Sequence, residues 1–375
     1  MKFFPLVTKL VLGCGLLFAA AALQADPAVN NKTATPREWW RAEQSNRLPD
    51  LPNAQVLPRL HVEGNRFAGP DGKPVLLRGV SIADPDLLEY TGHWNLELFR
   101  QLKEFGANVV RLPVHPAAWR ARTPQKYVEL IDQAAEWCAS LGMYVIVDWH
   151  SIGNLNSDLF QNPMYNTSRA ETFNFWKTIA ERYAHHSAVA FFELYNEPTT
   201  FRGRLGRVEW SQWRAINEDL IALIRGYQAE GIPLVAGFDW AYDLTPIIED
   251  PIRAAGIGYV THPYPHKRTQ PWEPKWQEDF AFAAHSYPLI ATEIGFDLKP
   301  GEVVNDDHYG NRITRFLESR EISWLAWVYD PAWGPQILKS WDGYQLTGAG
   351  EFFKQALHRA PAEPAVQAQR KAGDY

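Results

Sequence analysis

Short apolar runs alternate with amphipathic stretches from residue 60 to residue 357. Runs at 109–113, 144–148, 189–194, 233–238, 257–262, 289–293 and 324–327 are strand-length and rich in β-branched and aromatic residues. Ahead of them, 60–62 with Phe67 is split from 75–77 by Gly69-Pro70-Asp71-Gly72, which reads as a hairpin leading into a first strand. Between the runs, Tyr127, Leu130, Ile131, Ala134, Trp137, Cys138 and Leu141 share one helix face that Gly142 ends. Trp213, Ile216, Leu220, Leu223, Ile224 and Tyr227 make a second such stripe. Eight apolar strands alternating with amphipathic helices predict an α/β protein, a (β/α)8 barrel in one domain over 59–359. The rival is a doubly wound open sheet. No G-x-G-x-x-G loop opens the first βα unit, which argues against its dinucleotide-binding form.

The two ends break this pattern. Lys2 and Lys9 precede an apolar stretch at 10–23, and Gln24-Ala25 leads into Asp26. The stretch is too short to span a membrane and reads as a secretory signal over 1–25, cleaved near Ala25. A lipoprotein anchor through Cys14 is the lesser alternative. Residues 26–58 are polar and proline-rich, an arm or linker, and 360–375 read as a disordered tail. Cleavage would leave Cys138 as the single cysteine, so no intramolecular disulfide is expected.

Composition narrows the partners. The chain has 375 residues, 46% hydrophobic, enough for a large core in a single barrel. Net charge is −6, with no basic stripe, so neither nucleic acid nor an acidic membrane surface is an expected partner. Some of the 16 tryptophans belong to the core, and exposed aromatic faces also suit the apolar C–H faces of sugars. A secreted or periplasmic monomer acting on a polysaccharide or oligosaccharide is the expected form.

Barrel sites lie at the C-terminal ends of the strands, so the residues that end each run carry the chemistry. The second run ends in Arg111-Leu112-Pro113 and the third in Asp148-Trp149-His150. The fourth ends in Asn196-Glu197-Pro198, the sixth in His262-Pro263-Tyr264, the seventh at Glu293 and the eighth at Trp327. Two glutamates delivered to one rim by two strands are what glycosidic bond cleavage needs. No metal is expected, since the first strand closes as Leu77-Arg78-Gly79-Val80 without H-x-H, and no cofactor is called for.

These strand ends resemble the retaining β-glycosidase barrels of glycoside hydrolase family 5, the cellulase family of clan A. The characteristic set of Arg, His, Asn, Glu, His, Tyr, Glu and Trp is found in order as Arg111, His150, Asn196, Glu197, His262, Tyr264, Glu293 and Trp327. The resemblance implies Glu197 as general acid and then base, and Glu293 as the nucleophile of a glycosyl-enzyme ester. It implies that Arg111 keeps Glu293 ionised, Tyr264 orients it and His262 supports the glutamates or the substrate. Asn196 would bind the sugar 2-hydroxyl, His150 another hydroxyl, and Trp327 would be the stacking floor, often followed by a cis peptide. Retention requires the carboxyls about 5 Å apart, inversion roughly 6.5–9.5 Å.

Trp119, Trp149, Tyr195, Trp240, Trp333 and Trp341 fall in or near βα loops, with Trp149, Trp240 and Trp333 as candidate stacking platforms. The resemblance implies an endo-β-1,4-glucanase first, with a mannanase or another β-glucan or exopolysaccharide hydrolase as alternatives. The chain departs from the family's frequent His-Gly after strand one, having Val80-Ser81-Ile82-Ala83-Asp84-Pro85, which leaves the sugar open. A non-catalytic carbohydrate-binding barrel would have lost one glutamate, and both are present.

Overall fold

The structure is a computed structural model that describes residues 57–299 and 301–364. The signal over 1–25, nearly all of the 26–58 arm and the last eleven residues of the tail lie outside the described residues. Eight parallel strands close into a barrel: β1 (Arg78–Ile82), β2 (Val109–Val114), β3 (Tyr144–Trp149), β4 (Val189–Glu193), β5 (Ile232–Ala236), β6 (Gly258–Val260), β7 (Leu289–Ile294) and β8 (Ser323–Tyr329). β8 pairs with β1 through Leu325 opposite Gly79, which completes the closure. The expected (β/α)8 barrel is the fold found.

The helical stripes form as read. The first is α1 (Pro124–Ser140), and Gly142 beyond its end takes φ +67°, the left-handed conformation that stops a helix. The second is α2 (Trp210–Gly226), whose apolar stripe is buried. The return from β5 differs. A 3-10 turn, Thr245–Ile248, replaces a long helix there, because Pro246 and Pro251 interrupt the pattern. The first barrel strand also starts later than 75–77. The hairpin is His61–Glu63 with Arg66–Ala68, turning at Gly64-Asn65, and Gly69-Pro70-Asp71-Gly72 only leads back toward the barrel.

Barrel side chains point inward at every second position, so each strand supplies two stacked layers. The lower layer is apolar and includes Val109, Ile146, Phe191, Val260, Ile290 and Leu325. The hairpin plugs this end with Phe67, whose ring meets Phe191 edge-on at 5.0 Å. Phe67 also comes so near Gly258 that a Cβ there would lie 2.9 Å from the ring. Two residues along each strand the layer turns polar: Arg111, Asp148, Glu193, His262, Thr292 and then Trp327, all buried. The strands that hold the barrel together therefore present the polar groups of its upper mouth.

Candidate active site

The upper mouth opens into a cleft of about 600 Å³ lined by His150, Asn196, Glu197, Tyr264, Glu293 and Trp327, with Trp240 and Trp333 on its walls. At its floor Arg111 is fully buried and is the hub of the polar layer. Its Nε and Nη2 donate to the Glu193 carboxylate at 2.7 and 2.9 Å, and Nη1 donates to Glu293 Oε1 at 2.8 Å. Nη2 also reaches Asn196 Oδ1 at 2.7 Å and Asp148 Oδ2 at 2.9 Å. Burial works against this charge, yet Asp148, Glu193 and Glu293 together hold the guanidinium protonated.

A guanidinium only donates, so the contact to Arg111 sets the Asn196 amide with its oxygen inward. The Asn196 Nδ2 has no protein hydrogen-bond partner and borders the cleft, where it can donate to a ligand. His150 Nδ1 lies 2.6 Å from Asp148 Oδ2, and its ring stacks on Trp327 at 5.4 Å and 4°. Burial, with His115, Arg111 and His262 nearby, pulls His150 well below its ordinary value, so it is neutral. The Trp327–Val328 peptide is cis, as the resemblance implied.

The two glutamates meet at one imidazole. His262 Nδ1 lies 3.0 Å from Glu197 Oε1 and 3.7 Å from Glu293 Oε2. One donor atom from each of Glu197, His262 and Glu293 falls within 4.8 Å of the others. Two of those atoms are facing oxygens of Glu197 and Glu293, so both carboxyls can address one bond. Tyr264 Oη donates to Glu293 Oε2 at 2.8 Å, and burial together with both glutamates pushes its phenol up, so it keeps its proton.

Burial opposes a charge on His262, but Glu293, Glu193 and Glu197 raise the ring to about 9. Glu293 itself is displaced upward. Burial outweighs the downward pull of His262 and Arg111, and Glu197 adds to the rise. Arg111 thus moderates the Glu293 shift rather than reversing it.

All eight expected positions converge on this mouth. Of the possible platforms, Trp240 and Trp333 line the cleft, and Trp149 does not. Trp149 sits between inward-facing Asp148 and His150, so it faces the helices, stacked on Phe175 at 4.2 Å and bonded to Thr172. Trp119 and Tyr195 are likewise core, and Trp341 stacks on His93 at 4.4 Å. Glu193, Thr292 and the Asp84–His115 pair escaped the sequence reading. Asp84 Oδ2 accepts from both the backbone N–H and Nδ1 of His115 at 2.8 Å.

The sequence profile of the family described as cellulase (glycosyl hydrolase family 5) matches residues 69–332, most of the barrel. This chain belongs to glycosyl hydrolase family 5. Among the curated relatives of this family member, Endoglucanase E-5 of Thermobifida fusca is 24% identical over 80% of the chain. An endoglucanase of Clostridium saccharobutylicum is 26% identical over 80% of it. The chain spans 63% and 65% of the length of those relatives. A solved structure, the β-glucanase SdGluc5_26A from Saccharophagus degradans in complex with cellotetraose, is 39% identical. It covers 85% of this chain and 98% of its own, with a TM-score of 0.80. Among the described residues, no helix of this glycosyl hydrolase family 5 chain is long and apolar enough to cross a membrane.

Proposed function

We propose that the chain is an endo-acting β-1,4-glucanase that cleaves by double displacement with retention of configuration. The observation that carries this is the meeting of Glu197 and Glu293 at His262, each with an oxygen within 4.8 Å of the other. In the first step Glu293, aimed by Arg111 and Tyr264, attacks the anomeric carbon while Glu197 protonates the leaving oxygen. In the second, Glu197 takes a proton from water, which attacks the same carbon and releases Glu293. Asn196 Nδ2 is available to the sugar 2-hydroxyl, a contact that strengthens as the transition state forms. His150 offers its second ring nitrogen to another hydroxyl, and Trp327 forms the floor.

Similarity to a β-glucanase solved with cellotetraose favours a β-linked glucan over mannan. The same three donors have a spacing that a metal ion could use. Against that, His262 is charged at neutral pH and bonded at both nitrogens, so it has no lone pair to offer. Activity is expected to survive chelation. Residues 1–25 act as a cleaved leader in this reading, which N-terminal sequencing of exported protein starting at Asp26 would support.

The test is a panel of carboxymethyl-cellulose, mixed-linkage β-glucan, xyloglucan and mannan, following reducing ends and product lengths. Glu197→Gln and Glu293→Gln should each lower turnover by about 10³-fold or more. Near-native activity in either variant refutes the assignment. Release of only the terminal sugar or disaccharide overturns endo action.

A further inference from the structure

Glu193 takes no part in the two steps above, yet it touches the partners of both glutamates. It is fully buried at the end of β4. On one side it grips Arg111 in a two-point ion pair, and Arg111 in turn holds Glu293. On the other side its Oε1 lies 2.9 Å from Thr292 Oγ1, which is itself 2.9 Å from His262 Nε2. The opposite nitrogen of that ring, Nδ1, faces Glu197 Oε1 at 3.0 Å.

The single proton of the Thr292 hydroxyl sets the direction of the chain from His262 to Glu193. Burial opposes ionisation of Glu193, but Arg111 and His262 hold it below the ordinary value, so it is a carboxylate. A carboxylate only accepts, and Thr292 must therefore donate its proton to Glu193. The Thr292 oxygen is left to accept from the ring, so Nε2 carries hydrogen. Nδ1 is left as the ring N–H that faces Glu197.

We propose that Glu193 is a positioning residue for the reaction: through Thr292 it dedicates Nδ1 of His262 to Glu197, and through Arg111 it sets the place of Glu293. The inference rests on the double-displacement reading. After Glu197 has given its proton to the leaving oxygen, the Nδ1–H of the charged ring donates to the new carboxylate. When Glu197 regains a proton from water, that proton rests on its carboxyl, Nδ1 keeps its own, and the pair returns to its starting charge.

The groups acting on His262 come from five strands and the segments that follow them. Glu193 ends β4 and Glu197 follows it, Thr292 and Glu293 belong to β7, and Asp148 lies in β3 with His150 just beyond it. Arg111 of β2 lies behind the glutamates, and Tyr264 beyond β6 holds Glu293. Glu193 joins the Nε2 side of His262, through Thr292, to Arg111, without being one of the two glutamates that act on the sugar.

The test follows His262 by NMR titration in the full-length protein without substrate, beside the pH profiles of kcat and KM on soluble β-glucan. Glu193→Gln should lower the His262 titration from about 9 by about one to two pH units. The alkaline limb of kcat should move with it. The kcat should fall on the order of tenfold to a hundredfold, with KM nearly unchanged. Glu193→Asp should restore much of the titration. Thr292→Val, close in shape, breaks only the arm to His262, should move the titration the same way, and decides the question alone if Glu193→Gln does not fold.

An unmoved His262 titration in the folded variants overturns the proposal. Because that readout needs no turnover, it is separate from the fate of the catalytic reading, which fails instead if Glu197→Gln or Glu293→Gln stays active.

Discussion

Arg111 Nη1 faces Glu293 Oε1 at 2.8 Å, with both side chains withdrawn from solvent. The same planar group fixes Glu193 at two points and Asn196 at a third, a geometry that a lysine ammonium cannot copy. Arg111→Lys should therefore keep much of the charge balance but lower kcat by about 10²-fold, as attacking and binding groups lose register. Arg111→Met leaves Asp148, Glu193 and Glu293 buried without their cation. It should lower the unfolding free energy by about 3–5 kcal/mol in urea titration. A wild-type midpoint in Arg111→Met would contradict the buried-hub picture.

The barrel and the rim were legible because most apolar runs stop at or beside a polar residue, and the mouth is where strands stop. The eight positions were found by reading those ends. Glu193 and Thr292 were hidden because they lie inside the runs. Glu193 sits two residues after Phe191 and Thr292 two after Ile290, so inward parity would have exposed them. The same parity turns Trp149 away from the cleft, since both its neighbours point inward. Asp84 was read as a departure from the family loop, and its partner His115 is brought to it only by the fold. The absent helix after β5 had a local signal in its prolines.

The charge on His262 makes stability depend on pH. Its folded value of about 9 lies above the ordinary 6.5, so the folded state binds the proton more tightly. That contribution is present in full below about pH 6.5 and is lost as pH rises through about 9. The Tm should decline over this window, and His262→Gln should flatten that part of the curve. Activity has the opposite limb. Glu293 must be ionised to attack, and burial raises it above the ordinary 4.5, so kcat/KM should fall on acidification at a pH above that value. An acid limb centred below 4.5 would contradict the upward shift.

His115 is buried, and its Nε2 makes no hydrogen bond to protein. Asp84 holds the other nitrogen, while the ring packs on His150 at 4.7 Å and beside Tyr165 and Trp333, which line the cleft. With Asp84 taking Nδ1, Nε2 is the ring atom left for a sugar hydroxyl. His115→Phe keeps the packing and removes that nitrogen, and should raise KM for cello-oligosaccharides about fivefold to tenfold, the worth of one hydrogen bond. Its kcat should change less. Asp84→Ala is a different lesion: it strips acceptors from His115, Tyr127 and Asp86, and should destabilise the fold by about 3 kcal/mol or more. Unchanged KM in His115→Phe would remove the residue from the binding surface.

The last prediction concerns Trp240, on the cleft wall after β5. Asp239, Trp240 and Ala241 all take left-handed backbone, with φ of 55°, 56° and 57°, strained for residues other than glycine. Lys267 holds this segment. Its Nζ donates to the Asp239 carbonyl at 2.5 Å and lies 4.7 Å from the centre of the Trp240 ring, while Trp240 Nε1 donates to Gln161 at 2.8 Å. Burial pulls Lys267 below its ordinary value, with Asp239 opposing, and its Nζ sits between a carbonyl and an aromatic face. A tryptophan fixed in this way is a rigid platform for a sugar ring removed from the cleavage point. Trp240→Ala should lower kcat/KM about tenfold or more on long β-glucan chains and much less on short aryl glycosides. Lys267→Met should reproduce part of that selectivity change by loosening the ring, measured as the ratio of the two rates. Equal losses on long and short substrates would mean that Trp240 supports the reacting centre itself and not a distant sugar.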